Sequence, residues 1–333
     1  MSLGIPDPDP NLAPAPAPID YRADDFARAL HVAIFVGLAL ALAVAPFVLY
    51  PIFVMKVMCF ALFACSFNLL LGFGGLLSFG HSAFFGSGSY LCAYFAKKHG
   101  LPPELALGLG TFAAALLSVI GGLLAVRRQG IYFAMITLAT AQMIYFIALQ
   151  TPYAGGEDGI QSVPRGKLFG LVDLENTLPL YATVAVLFMA ALLAYYRIIH
   201  SPFGRVLRAI RDNEARTISL GYSANSYKLT LFVLSGTLAG FAGAVKCIVF
   251  QLASLTDVHW STSGEVVIMT LVGGMGTIFG PIVGAAVLVA MQNYLARFGD
   301  WVMIIQGVVL FVCVMTFREG IVGVVARRFK RRL

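Results

Sequence analysis

The 333-residue chain is 59% hydrophobic and only 12% charged, with a mean hydropathy of +0.85. Soluble domains carry about 25% charged residues, so this composition excludes a soluble globular domain that coats its own apolar surface. The net charge of +7 does not indicate nucleic acid, because the basic residues lie beside apolar runs, where anionic lipid headgroups are the nearer partner.

Residues 1–28 form a proline- and alanine-rich arm that carries acidic residues before the first apolar run, which is not the pattern of a cleavable leader. This arm is expected to be disordered and cytoplasmic. Apolar runs long enough to cross a bilayer then recur near 29–49, 52–73, 76–97, 104–126, 130–150, 178–199, 227–252, 264–279, 281–297 and 302–317. The expected fold is therefore all-α and membrane-embedded over 29–320, with about ten transmembrane helices and a basic tail at 321–333.

Orientation follows from lysine and arginine. With the N-terminus inside, sixteen basic residues fall on the inner side and five on the outer (Lys97, Lys98, Arg165, Lys167 and Arg297), leaving Lys56 and Lys246 within spans. That bias predicts both termini in the cytoplasm. The outer connection 151–177, with Gly155, Gly156, Gly159, Pro164 and Gly166, reads as an irregular periplasmic loop. The inner connection 200–226 differs: it alternates charges and has few glycines. Asp212 or Asn213 can cap a helix that Gly221 ends, giving about two turns.

On that helix Ala215, Ile218 and Leu220 supply apolar contacts, while Arg211, Asp212, Glu214 and Arg216 supply charge. Two readings stand equal on the residues alone: a docking surface for a soluble partner, or an amphipathic linker on the membrane face.

Within the spans, Lys56 and Glu265 lie near the outer boundary, where snorkelling accounts for them. Lys246 is deeper, and no carboxylate is expected beside it. His81, Asn68, Thr140, Gln142, Lys246 and Glu265 are candidates for a pathway or gate, each weighed against a packing or hydrogen-bonding role. Gly-rich seams at 72–88, 236–243 and 273–284 include Gly74, Gly75, Gly80, Gly273, Gly274, Gly276 and Gly280. They read as close helix packing or as broken helices lining a path.

Cys59, Cys65, Cys92, Cys247 and Cys313 sit in apolar runs without metal-ligand spacing, and read as small buried hydrophobes. The histidines His31, His81, His99, His200 and His259 are scattered, and no nucleophile–base pair, paired aspartates or H-E-x-x-H helix occurs at depth. Catalytic, cofactor-binding and metal residues are not expected. A phosphate-cradling loop is also missing, since Gly166–Lys167 lacks the upstream glycine and following hydroxyl.

Four stretches carry a resemblance: Ser201–Tyr222; Trp260, Ser263, Gly264 and Glu265 with Gly273–Pro281 and Gly284; Gly72–Phe85; and Gly130–Phe133 with Thr137, Leu138 and Ala139. In this order they resemble the branched-chain amino acid ABC permease family of the LivM type. In the broader permease motif, Glu-Ala-Ala is followed by three residues and glycine; here Arg216 follows Glu214–Ala215, and Gly221 lies one position late. The resemblance implies a coupling helix fitting an ATPase cleft, with Arg211, Asp212, Asn213, Glu214, Ala215, Ile218, Leu220 and Gly221 as ATPase-coupling residues.

It implies a bacterial inner-membrane importer in which this chain pairs with a homologous second permease as a heterodimer. Two ABC ATPase subunits would hold ATP and Mg, and a periplasmic solute-binding protein would deliver branched-chain amino acids or a related amino acid or amide. Urea, short amides and aromatic acids remain alternatives within the family. Outside it, an ion-gradient-driven secondary transporter or channel is the rival, and it requires paired ionisable residues near mid-membrane.

Overall fold

A computed structural model describes residues 21–296, 301, 304, 305, 307, 308, 311, 315 and 320–328. Of the arm expected at 1–28, residues 1–20 lie outside the described residues and residues 21–28 are helical, as the start of α1; most of the span 302–317, Cys313 and the end of the basic tail also lie outside the described residues. The described chain is almost entirely helical: α1 Tyr21–Val48, α2 Pro51–Asn68, α3 His81–Lys98, α4 Pro103–Ala125, α5 Ile131–Gln150, α6 Thr177–His200, α7 Pro202–Asp212, α8 Glu214–Ser219, α9 Ala224–Phe250, α10 Trp260–Gly273, α11 Gly280–Leu295 and α12 Gly320–Arg328. The chain divides into two compact units, 1–40 and 41–333.

Among the described residues, six helices are long and apolar enough to cross a membrane: α1, α2 with its extension to Phe73, α4, α5, α6 and α9. Their exposed faces carry residues such as Phe112, Leu116, Ile120, Met143, Ile147, Val186 and Leu193, a surface that water does not tolerate at this extent. The protein is multi-pass in a membrane.

Ten spans were expected from the apolar runs. Three of these correspond to helices that are shorter or more polar: α3 contains His81, Ser82, Ser87 and Ser89, while α10 and α11 have 14 and 16 residues. At 1.5 Å per residue the last two extend about 21 and 24 Å, short of the ~30 Å hydrocarbon core. Hydropathy runs through residues 74–80 and 274–279, but the helices stop there, because adjacent glycines favour turns over helix.

α2 and α9 form the centre. α2 is apolar on all sides and can be enclosed, with Met55, Cys59, Phe63 and Phe67 fully buried. α9 lets its neighbours close in. An added Cβ at Gly240 would lie 2.0 Å from the Ala114 Cβ of α4, and one at Gly243 would lie 1.9 Å from the Phe85 carbonyl of α3. Backbones this close gain dispersion contacts that lipid cannot outcompete. Cys59, Cys65, Cys92 and Cys247 are free and buried in this core, as their apolar setting suggested.

The 151–177 connection is irregular, as expected. It holds 3₁₀ turns at Pro152–Ala154 and Gly156–Asp158 and strands β1 Ile160–Gln161, β2 Lys167–Leu168 and β3 Val172–Asp173. β1 pairs antiparallel with β4, Leu252–Ala253, just beyond α9. Arg165 donates to the Ile248 and Val249 carbonyls at 3.3 and 2.7 Å, satisfying part of the C-terminal end of α9.

Gly243→Leu is expected to lower the melting temperature of the detergent-solubilised protein by an amount equivalent to at least about 1–3 kcal/mol through overpacking. Gly108→Ala on α4, with nothing within 4 Å of the new methyl, is expected to be neutral or slightly stabilising in the same melt.

Candidate functional site

The connection from α6 to α9 folds as two helices. Ser201 accepts a bond from the Gly204 amide at 3.3 Å and Pro202 opens α7, a standard N-terminus. α7 buries Leu207 and Ile210 and exposes its arginines. Its register ends at Asn213, whose backbone is extended (φ −156°, ψ 98°) and whose Oδ1 accepts from the Arg216 amide at 3.0 Å. Asn213 therefore ends one helix and caps the next. α8 closes with Gly221 at φ +91°, where the Tyr222 amide reaches the Thr217 carbonyl and the Gly221 amide the Ile218 carbonyl, a Schellman arrangement. The sequence reading allowed either Asp212 or Asn213 as the cap and did not resolve α7 as a separate helix.

The eight residues grouped there as coupling residues divide by direction. Ala215, Ile218 and Leu220 are exposed on α8, with Arg216 and Tyr222 beside them. Glu214 turns inward instead: it accepts from Lys228 Nζ at 2.7 Å and from Gln129 Nε2 at 2.9 Å, tying α8 to α9 and to the α4–α5 link. Arg211 also reaches inward, donating from Nη1 to the Gly72 carbonyl. Asp212 is exposed and lies 3.7 Å from the Arg211 guanidinium.

Gly72 belongs to a junction built on Asn68. α2 continues through a π-helical turn, Leu69–Phe73, then leaves helix at Gly74 and Gly75, the latter at φ +69°. Asn68 is fully buried. Its Nδ2 donates to the Tyr195 hydroxyl and to the Thr277 carbonyl, both at 2.8 Å, and its Oδ1 accepts from the Gly276 amide at 2.9 Å. One side chain thus joins α2, α6 and the turn between α10 and α11. Gly273, Gly274, Gly276 and Gly280 shape that turn. Gly274 and Gly276 have φ of +123° and +78°, and a Cβ at Gly273 would lie 1.9 Å from the Gly280 carbonyl.

His81 opens α3 and is fully buried among Phe67, Phe84 and Phe232. The Ser235 hydroxyl donates to the Ser66 carbonyl at 2.5 Å, so the 2.8 Å contact between His81 Nε2 and Ser235 Oγ has the imidazole as donor. Nδ1 is then a bare acceptor, buried without a partner. Just before it, Gly80 packs on Thr137 of α5, which accepts from the Phe79 amide at 3.2 Å, and the Ser82 amide donates to Ser263 of α10 at 2.9 Å. Thr140 bonds the Ile136 carbonyl of its own helix at 2.9 Å, and Gln142 is half-buried on α5. Glu265 accepts from Gln292 of α11 at 3.2 Å, within electrostatic reach of Lys56.

Lys246 corrects an expectation. A carboxylate does stand beside it: Asp257, from a 3₁₀ turn after α9, accepts from Nζ at 2.9 and 2.7 Å with both residues buried. Asp257 also accepts from the Ser254 amide at 3.2 Å, which completes a capping box over the turn. The pair lies within two turns of the end of α9 and clamps the 251–259 segment. Among the described residues, no three His, Cys, Asp or Glu side chains gather as a metal site.

Residues 49–314 match the family described as "Branched-chain amino acid transport system / permease component". The chain belongs to this permease family. Relatives include the high-affinity branched-chain amino acid permease protein LivM of Salmonella typhimurium, 26% identical over 82% of this chain and 70% of LivM. The ribose import permease RbsC of Escherichia coli K12 is 28% identical over 63% of this chain and 66% of its own. The probable LivH permease of Methanocaldococcus jannaschii is 24% identical over 74% and 82%. No solved structure matches. The permease is thus an ABC importer membrane component of this family, and the matched region holds both the Asn68 junction and the α7–α8 loop.

Asp257→Asn leaves the Lys246 ammonium buried without its counter-ion and is expected to destabilise the solubilised permease by about 3–5 kcal/mol. The double change Lys246→Met with Asp257→Leu is expected to recover most of that loss in the same thermal melt. A double variant less stable than Asp257→Asn, by the loss measured for Lys246→Met alone, would show that the two side chains act separately.

Proposed function

We propose that this permease is the translocation subunit of a binding-protein-dependent importer in the bacterial inner membrane. In this reading it crosses the bilayer about ten times, has both termini in the cytoplasm, and pairs with a homologous second permease. Two separate ATPase subunits bind ATP and Mg, and a periplasmic binding protein delivers the solute. The α7–α8 loop lies on the inner face and 151–177 on the outer. Supporting this orientation, Arg205, Arg208, Arg211 and Arg216 crowd one connection, and the rest of the lysine and arginine bias agrees.

The observation that carries the reading is the surface of α8. Ile218 on α8 and Leu220 and Tyr222 in its C-terminal cap are 52%, 71% and 42% exposed, and the helix is bonded down on its other side through Glu214. Apolar side chains beside the exposed Arg216, on a capped helix and its C-terminal cap, suit a cleft on a folded partner. ATP-driven closure of the partners then moves this helix and biases the membrane helices between two arrangements.

The solute is a branched-chain amino acid or a related small amino acid or amide. The LivM alignment spans 82% of this chain against 63% for the ribose permease, which favours the amino acid class. Urea, short amides and aromatic acids are the alternatives within the same family. An ion-driven carrier is disfavoured, because the buried Lys246–Asp257 pair is committed to the loop end of α9 and bonded to the Ser254 backbone.

Leu220→Asp places a charge in the docking surface and is expected to release the ATPase subunits on co-purification and to reduce uptake at least tenfold, with the permease still inserted. Normal association and uptake would refute the assignment of α8. Solute flux by this chain alone in liposomes would refute the importer. A thermal-shift panel of amino acids, amides, urea and ribose against the cognate binding protein identifies the solute class.

A further inference from the structure

We propose that Arg211 is the positioning residue that carries movement of the docking loop into the two glycine turns of the membrane domain. This deepens the reading of the α7–α8 loop as the ATPase-docking segment and rests on it. Charge and position alone place Arg211 with the outward-facing docking residues. The contacts of its side chain point the other way.

Arg211 sits in the last turn of α7, two residues before the break at Asn213. Its Nη1 donates to the Gly72 carbonyl at the end of the π turn. Carbonyls at a helix end lack intrahelical donors and carry the negative end of the dipole, so a guanidinium is the favoured partner. The alkyl part lies flat on Gly75, where an added Cβ would come 2.8 Å from Arg211 Cγ and 3.5 Å from Cδ. At the tip, a Cβ on Gly276 would be 3.9 Å from Nη1 and 3.5 Å from the Gly72 carbonyl. One side chain therefore touches the end of α2 and stands against the α10–α11 turn, at the place where Asn68 bonds these elements together.

The elements on either side differ in stiffness. α7 is held by buried Leu207 and Ile210 and by Arg208 donating to the Ile199 carbonyl at 3.2 Å, so it moves as a body. The segments Arg211 touches are a π turn and two positive-φ glycines, Gly75 and Gly276, where the backbone turns at little cost. A displaced α7 must either carry Gly72 with it or break this bond. A side chain at Gly72 would occupy the space of Asn68 and the Gly276 backbone and one at Gly75 that of Arg211, while Gly276 is required by its φ of +78°.

The test uses the complete importer in proteoliposomes: this permease with its second permease, ATPases and binding protein. Arg211→Ala is expected to retain the ATPase subunits on co-purification while the number of solute molecules imported per ATP hydrolysed falls at least tenfold. Arg211→Lys, which keeps a donor and the charge but loses the fork, is expected to recover part of that ratio. A purely structural role would lower the amount of assembled importer and leave the ratio unchanged.

A wild-type ratio in Arg211→Ala overturns the proposal, as does release of the ATPases, which would make Arg211 a docking residue. If Arg211→Ala reduces insertion, Arg211→Met is read instead, since it keeps bulk over Gly75 without a donor for Gly72. Loss of insertion in both makes Arg211 a folding residue and also overturns the proposal. Leu220→Asp is run alongside: if it leaves ATPase binding intact, the docking reading itself fails. Detachment there, beside a normal Arg211→Ala, rejects the inference alone.

Discussion

Two breaks in apolar helices meet at Asn68, and the arrangement of the membrane domain depends on how that side chain is spent. Where a helix stops inside an apolar region, its backbone groups lose partners, and each one left unpaired costs several kcal/mol. The α10–α11 turn exposes the Gly276 amide and the Thr277 carbonyl to this penalty, and Asn68 satisfies both while also bonding Tyr195. An aliphatic residue of similar size would leave both backbone groups stranded, and an aspartate would offer acceptors only. A serine hydroxyl also donates and accepts but has a single proton, whereas the asparagine amide has two N–H donors and a separate acceptor, which serve the Tyr195 hydroxyl, the Thr277 carbonyl and the Gly276 amide together. Because it does so, α2 can end in the buried interior instead of running on, and the glycine turns can press against each other.

α9 behaves in the opposite way. Its first turn is tied through Lys228 to Glu214 on α8, and its last turns are held by Arg165 from the 151–177 connection and by the Lys246–Asp257 pair. Between them the helix is 27 residues long, about 40 Å at 1.5 Å per residue, and it packs closely on α3 and α4. A helix secured at both ends transmits displacement as a rod. α2, with a π turn and two glycines after it, yields. Both meet the α7–α8 loop, one through Glu214 and the other through Arg211, so a force on that loop reaches a stiff element and a pliable one together.

Much of this was legible in the sequence. The loop helix with its Gly221 terminus followed from short-range rules, which also narrowed its cap to Asp212 or Asn213, because caps involve atoms three or four residues apart. The irregular 151–177 segment followed from its glycines and prolines. The partner of Lys246 was not legible: Asp257 lies outside α9, in a connection that reads as a simple link between spans, and only the reversal after Gln251 at φ +54° brings it back. The inward direction of Arg211 and Glu214 was hidden for another reason. α8, which carries Glu214, has six residues, too few for a hydrophobic period to reveal a face, and the acceptor of Arg211 at the C-terminal end of α7, the Gly72 carbonyl, is distant in the chain, so charge suggested solvent where the structure has a hydrogen bond. For Asn68 and His81, polarity in an apolar run suggested a pathway, yet their partners Tyr195, Thr277 and Ser235 are distant in the chain and both side chains are bonded within the packed interior.

The glycine seams separate into two kinds once spacing is considered. Gly236, Gly240 and Gly243 are four and three residues apart, which stacks them on one face of a continuous helix; there they admit Ser118 and Ala114 of α4 and the Phe85 backbone of α3. Gly74–Gly75 and Gly273–Gly274 are adjacent. Neighbours in a helix point about 100° apart and cannot form a common packing face, while two consecutive residues without Cβ atoms make the backbone cheap to turn. The helices end at these doublets and run through the spaced set. Close packing and broken helices thus both occur in this chain: the spaced set builds the stiff α9 contact, and the doublets Gly74–Gly75 and Gly273–Gly274 build the pliable junction that Arg211 touches, whereas the doublet Gly121–Gly122 stays helical inside α4, so adjacency permits a break without dictating one.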